Sequence, residues 1–415
     1  MKTILKKLAR NLPSTRPLHL VMCVALASAS TLTLAQAGHL DRTFATGGIF
    51  SFQLTTENGN NCIARAVALQ SDGKIVAVGQ LGDQSGLLRL NPNGSLDSTF
   101  GSGGVVVTKI GADIEQVFGG VAIQSDGKIV AVASGVPQGE QVARFNTDGS
   151  LDTTFGNAGI ASLPLNGDLL ALQPDGKIIV AGQGQAVSSS SLARLDSNGQ
   201  LDPAFGTGGL APLQTFGPDA IALQPDGKIL VASGSGSLAR YNKNGSVDKS
   251  FGIFGQAASI ASPSAIAVQS DGKILAVGTD TSKVSASGNS TGFGLVRFNP
   301  DGSIDTTFGT RGGAITGFPN TGATNAFAAA LQPNGDIVAA GQAGNSPATE
   351  SFALARYIGS GKLDDTFGSS GRVVTTFGTN SGEVITSIVL QSDGKIVVAG
   401  TNGGTSLEVA RYLGQ

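Results

Sequence analysis

The sequence predicts an all-β fold, a seven-bladed β-propeller of four-stranded antiparallel blades whose ring is closed by the N-terminal strand. Three observations carry that expectation. Two motifs alternate along the chain, seven copies each. Each copy holds four short strand-like pieces separated by Gly/Asn/Asp turns, and the incomplete copies at the two ends complement one another. Self-similarity at periods of 20–50 residues or slightly more is the mark of a repeat architecture.

The first motif is close to Leu-Asp-x-x-Phe-Gly-x-x-Gly, with its acid at Asp41, Asp97, Asp152, Asp202, Asp248, Asp305 and Asp364. The second is close to Ala-x-Gln-x-Asp-Gly-Lys-Ile, with its amide at Gln70, Gln124, Gln173, Gln224, Gln269, Gln332 and Gln391. Successive copies lie 45 to 63 residues apart. Between them runs a short apolar piece centred on Arg89, Arg144, Arg194, Arg240, Arg297, Arg356 and Arg411.

The strands of one copy follow from composition. Residues 220–233 read as a tight hairpin, two β-prone apolar runs joined through Asp226-Gly227. Leu238 to Tyr241 forms a third strand, and the chain then turns through Asn244-Gly245 and passes Phe251-Gly252 into a fourth. That is the outline of a propeller blade. A helical solenoid is excluded because Gly recurs too often and no 3.6-residue periodicity appears. An open β-solenoid is the rival. The chain ends decide between them. Residues 40–52 contain only the last element of a copy, and residues 384–412 only the first three. An open array would leave both as exposed edges, whereas in a ring the first piece completes the seventh blade and removes the edge.

Composition excludes several functions. The 415 residues include two Cys, two His and no Trp, too few ligands for a closed zinc, haem or iron–sulfur site. Aromatic residues make up 5%, and the net charge is −2, so neither base stacking nor phosphate binding is favoured and no nucleic acid is expected. Lys2, Lys6, Lys7, Arg10 and Arg16 precede an apolar stretch from Leu18 to Leu34 and the small-x-small triplet Ala35-Gln36-Ala37. Residues 1–37 therefore read as a secretory signal peptide cut before Gly38, with residues 38–415 as the propeller. Ser and Thr within the stretch weigh against a membrane anchor, and Met22 against lipidation at Cys23. Cleavage would leave a net charge of −7, one Cys (Cys62), one His (His39) and no transmembrane span.

The ALQPDGKI element at 171–178, the LARY piece at 238–241 and the Asp-Gly-Ser-Leu-Asp turns resemble the delta-60 repeat family, exported or surface proteins of bacteria related to the NHL and YVTN propellers. The resemblance covers residues 39–415. It departs at Phe44-Ala45, at Asn334-Gly335-Asp336 and at residues 358–361. It implies fold and export and carries over no catalytic residues.

Sevenfold use of the same Arg and Asp points to a blade-building ion pair supported by turn backbone, because a binding site rarely needs the same residue in every blade. The repeated Phe is expected as a core plug between blades. Asn-x-Asp-Gly-Ser turns raise calcium as a candidate cofactor, but turn chemistry alone accounts for them and no cofactor is expected.

Function falls to the connections that vary. The turns joining first to second and third to fourth strands scarcely change, whereas the second-to-third and fourth-to-first connections range from six residues at 232–237 to the long stretch 277–294. Both variable sets emerge on one face, called here the display face; the opposite one is the framework face. The display face gathers acids: Glu57, Asp83, Asp113, Glu115, Glu140, Asp168, Asp219, Asp280, Glu350, Glu383 and Glu408, against few bases such as Lys109 and Lys283. Asp83, Asp113, Glu115, Asp280 and Glu383 are the candidate ligand-binding residues. The expected function is a monomeric, exported, non-enzymatic binding module for a protein or surface glycan. A carboxylate-based hydrolase or lyase, with or without calcium, is the alternative. The inner strands, such as Ala66 to Gln70, are expected to line the channel with small apolar side chains and to offer no catalytic ring.

Overall fold

In the computed structural model, residues 36–415 are described except for 55–60, 111–116, 135–138, 185–189, 216, 259–261, 281–290, 320 and 378–381. Seven four-stranded antiparallel sheets follow one another in chain order. In blade 1 the order from the inside outward is Cys62–Leu69, Ile75–Leu81, Gln84–Leu90 and Val105–Thr108. The inner strands of the other blades are Val117–Ile123, Leu165–Leu172, Pro218–Leu223, Ser262–Val268, Ala323–Leu331 and Glu383–Leu390. Each inner strand touches the inner strands of both neighbouring blades, and the seventh touches the first, so the ring is closed.

The outer strand of blade 7 is Ile49–Phe52, which pairs antiparallel with Ser406–Tyr412 in the register Ile49↔Ala410 to Phe52↔Leu407. The closure expected from the complementary chain ends is therefore present. Second strands such as Ile75–Leu81 and Ile229–Ser233 are rich in β-branched residues and buried on both faces, as sheets packed between two neighbours require. Hydrophobic clusters sit at the blade junctions: Val76, Val78 and Leu87 of blade 1 pack with Ile129, Ala131 and Ala143 of blade 2.

The repeated polar residues build the same junction seven times. Each Arg donates from Nε to the Asp of its motif at 2.7–2.9 Å. The seventh pair, Arg411 with Asp41, joins the two ends of the chain. From Nη1 each Arg donates across the junction to a turn carbonyl of the next blade: Arg89 to Thr147, Arg144 to Ser197, Arg194 to Lys243, Arg240 to Pro300, Arg297 to Gly359, Arg356 to Gly414 and Arg411 to Pro92. The pair is thus within a blade as the repeats suggested, and the same guanidinium also crosses to the next.

The repeated Phe is fully buried and lies beneath that guanidinium, 4.5–4.7 Å from ring centroid to Cζ in all seven copies. The backbone after it donates to the same turn of the next blade, as Gly101 N–H does to Asp148 and Gly156 N–H to Asn198. Stacking on Phe makes use of the ring's negative face and spares the planar guanidinium water it has lost.

Six of the seven Asp also receive the Lys of the Asp-Gly-Lys turn, as Asp152 does from Lys128 at 2.8 Å. Blade 6 has Asp336 at that position, and among the described residues Asp364 pairs only with Arg356.

A chain beginning at Leu54 lacks the closing strand, Phe44 and Asp41, leaving Arg411 buried without its carboxylate. Loss of one partner of a buried pair costs about 3–5 kcal/mol, so this chain is expected to melt well below the full one or to aggregate. Unchanged melting in differential scanning calorimetry would contradict closure by residues 40–52.

Candidate functional site at the display face of the central channel

Every inner strand carries a bulge near its display-face end. Ala64 pairs with Gly79 and Ala66 with Val78, so Arg65 is the extra residue of blade 1. The same shift singles out Gly119, Asp219, Ser264, Phe327 and Thr386, and in blade 3 both Gly167 and Asp168. The cause is local. Opposite the bulge the second strand has Gly in most blades, and a Cβ there would lie 1.9 Å from the Ile63 carbonyl oxygen at Gly79, and 2.0 Å from that of Val384 at Gly400. In those five blades the Gly of the repeated Ile-x-Val-Ala-Gly element leaves room for the backbone folded over it, while blades 2 and 4 bulge with Ala133 and Ser233 there. Bulges re-aim a side chain while keeping the rest of the strand in register.

The result is a ring of seven bulges around the channel mouth whose side chains vary, on a framework that is otherwise repeated. Arg65, Asp168 and Asp219 are exposed there, and Ser264, Phe327 and Thr386 are half-buried. Asp168 leans onto blade 2, where only the absence of a side chain at Gly119 admits it: a Cβ at that position would sit 2.1 Å from the Asp168 Cβ. The confined position raises the Asp168 carboxyl, Arg65 opposes that shift, and Asp219 adds to it. Asp219 accepts the Gly234 N–H of the short connection 232–237. The inner strands therefore do not offer only small apolar groups, as composition suggested. Their bulges bring one cation and two carboxylates to the mouth.

Glu140 opens the third strand of blade 2, Glu140–Phe145, and is 0% exposed. Among the described residues neither carboxyl oxygen has a hydrogen-bond partner. Burial pushes its pKa well above the ordinary carboxyl value, and the nearby charge of Asp168 adds to the shift. A second buried pair lies in blade 7. Glu383 accepts the Phe377 N–H at 2.6 Å, Glu408 accepts the hydroxyls of Ser51 and Ser406, and among the described residues each keeps one oxygen without a partner. Burial raises both carboxyls, and the charge of Glu408 adds to the shift at Glu383.

Of the candidate residues chosen from sequence, Asp83, Asp280 and Glu383 are described. Asp83 is half-buried in the connection after Ile75–Leu81. Asp280, at the end of Ile274–Asp280, and Glu383, at the start of Glu383–Leu390, are each 1% exposed. Asp113 and Glu115 lie outside the described residues, as do Glu57 and Lys283. Arg65, Ser264, Phe327 and Thr386 escaped sequence reading, although the Gly ending each second strand marks the bulge that presents them.

On the framework face, three of the turns considered for calcium use one side-chain oxygen to hold their own loop. In the turn at Asp148 one carboxylate oxygen accepts both the Ser150 backbone N–H and its hydroxyl, and Asn93 and Asp301 do the same for Ser95 and Ser303. Among the described residues no group of three or more His, Cys, Asp or Glu is placed to hold a metal ion. A cleft of about 740 Å³ on this face, between blades 1 and 2, is lined by the same repeat residues, including Gln70, Lys74, Arg89 and Gln124.

Fold and site thus define a β-propeller with a repeated framework and a varied channel mouth. Over residues 70–100, 124–155, 173–205, 224–251, 269–308 and 391–414 the chain matches the family described as a domain of unknown function (DUF5122) beta-propeller. Each of the first five stretches runs from the Gln of one copy to the region of the Phe that follows it. The span between 308 and 391 holds blade 6, where Asp336 replaces the turn Lys. No curated protein matches the sequence. Among solved structures the chain is similar to virginiamycin B lyase from Staphylococcus aureus, with 12% identity, a TM-score of 0.54, and coverage of 88% of this chain and 99% of that one. It is also similar to YCF48 bound to D1 peptide, at 13% identity and TM-score 0.52 over 91% and 100% of the two chains. The WD40 propeller domain of Doa1 matches at 16% identity and TM-score 0.50 over 88% and 98%. Likeness at this level concerns the fold. Among the described residues no helix is long and apolar enough to cross a membrane.

Glu140 gives a pH test. Its folded pKa is raised, so the stability it contributes is complete below about 4.5 and is lost as pH climbs through the folded value. The variant Glu140→Gln is expected to melt with the wild type at pH 4 and to gain on it steadily at higher pH. A constant difference between the two across pH 4–8 would contradict the assignment.

Proposed function

We propose that the chain is an exported, non-enzymatic binding propeller that takes a protein or a surface glycan on its display face, in keeping with its delta-60-like repeats. Basic or hydroxyl-rich groups of the partner meet the channel mouth. The observation that carries this reading is the ring of unlike bulge residues. Arg65, Asp168, Asp219, Ser264, Phe327 and Thr386 present five side-chain types at the bulge that every blade carries, while the repeated framework side chains are spent on one another. Varied residues and loops on a rigid repeated scaffold are the usual arrangement of a recognition surface. The excess of carboxylates at the mouth disfavours anionic partners.

Propellers of this fold include a lyase and a protein solved with a bound peptide, so fold alone supports neither chemistry nor binding. One observation favours a carboxylate-based hydrolase or lyase, the raised Glu140 carboxyl beside Asp168. Raised acids of this kind gather at active sites. A general acid must, however, come within about 3 Å of the group it protonates, and Glu140 is sealed from solvent. Binding is the better reading.

The test is equilibrium binding of the purified protein to arrays of surface glycans and of basic peptides, repeated with Asp168→Asn. Removing one charge-assisted contact is expected to weaken the captured ligand by about tenfold or more. Unchanged affinity would contradict a role for the channel mouth, and turnover of an arrayed ligand that disappears in the variant would establish the hydrolase reading instead.

A further inference from the structure

Six of the seven junctions are closed by one continuous turn. In the turn at 91–95, Asn91 N–H donates to Ser95 and Gly94 N–H to Asn91, with Gly94 at φ 85°. The same two bonds recur at 146–150, 196–200, 242–246, 299–303 and 358–362. In blade 7 the same turn is built from two separate pieces of chain. Leu413 N–H donates to His39 at 2.9 Å, Gly38 N–H donates to Leu413 at 2.8 Å, and Gly38 takes φ 86°. Leu413 and Gly414 stand where Asn146 and Thr147 stand in blade 2, and Ala37, Gly38 and His39 stand for Asp148, Gly149 and Ser150.

The contacts from the preceding blade follow this correspondence. Gly101 N–H donates to the Asp148 carbonyl, and Gly368 N–H donates to the Ala37 carbonyl at 2.9 Å. Arg89 donates to Thr147, and Arg356 donates to Gly414. Ala37 is 6% exposed and packs in the cluster of Phe367, Phe352 and Tyr412. It is a working member of the closing junction.

We infer that the leader is removed upstream of Gln36, at the bond after Ala29, and that Gln36 and Ala37 stay with the mature chain as half of a two-piece turn. This rests on the export reading and replaces the cut before Gly38 expected from the Ala35-Gln36-Ala37 triplet. A cut before Gly38 would strip Gly368 of its acceptor and place an ammonium on Gly38, a buried residue, where an uncompensated charge is costly. The sequence offers the alternative. Ala27-Ser28-Ala29 is also a small-x-small triplet, and it leaves an apolar core of Leu18 to Leu26. That core falls within the usual length of about 7–15 residues, whereas a cut before Gly38 demands the longer stretch from Leu18 to Leu34, interrupted by Ser28, Ser30, Thr31 and Thr33.

The experiment is expression of the full chain in a secreting bacterium, followed by intact mass and N-terminal sequencing of the exported protein. A first residue of Ser30 is expected, and a start at Gly38 overturns the inference while leaving export in place. A chain found only in the cytoplasm with Met1 in place overturns the export reading itself. A second measurement compares chains beginning at Ser30 and at Gly38 by hydrogen exchange. The Gly368 amide is expected to exchange about tenfold faster or more in the shorter chain, and equal protection would show that Ala37 has no part in closure.

Discussion

The structure turns on one guanidinium used seven times. Each Arg neutralises the Asp of its own blade, covers the Phe that plugs the junction, and donates to a turn of the next blade. A single side chain therefore serves strand pairing, core packing and blade-to-blade attachment. Lysine could not replace it, because one point charge cannot hold a carboxylate, a carbonyl and a ring face in one plane. The surrounding features follow from the need to satisfy this group. In six copies the Asp sits eight residues on, in six the Thr or Ser two further holds its second oxygen, and the turn Lys adds a second positive charge in six blades.

The two faces have opposite electrostatics as a result. On the framework side, burial would raise carboxyls such as Asp97 and Asp152, but hydrogen bonds from Thr and Lys and the Arg charge hold them well below the usual range. Their stabilisation is present above the ordinary carboxyl pKa and disappears as pH falls. Toward the display side, Glu140, Glu383 and Glu408 are buried with no such cation among the described residues, and their carboxyls rise. The framework is built to be stable, and the display side tolerates unpaired groups at its junctions.

The repeats made the architecture legible because each blade must solve the same packing problem with the same residues. Blade number, strand order, the Arg–Asp pairs and closure by residues 40–52 could all be read by comparing copies within the chain. The reach of Arg into the next blade could not, since its acceptor is a backbone carbonyl with no residue preference: Thr147, Ser197, Lys243 and Pro300 serve equally. The channel mouth was hidden for a related reason. Arg65, Gly119 and Asp168 share a bulge position and no chemistry, so they form no motif. Acidic residues such as Asp280 and Glu383 were read as display groups from their loop positions, and their burial depends on neighbouring blades that local sequence does not reveal.

If the seven junctions are one device, the ring should open as a unit and not blade by blade as an open array would. Native-state hydrogen exchange tests this at the amides that cross the junctions, those of Ala45, Gly101, Gly156, Gly206, Gly252, Gly309 and Gly368. The account predicts that all seven exchange through the same global opening, with one free energy and one dependence on denaturant. Distinct opening energies that rise from the blades nearest the chain ends toward the middle of the sequence would contradict it.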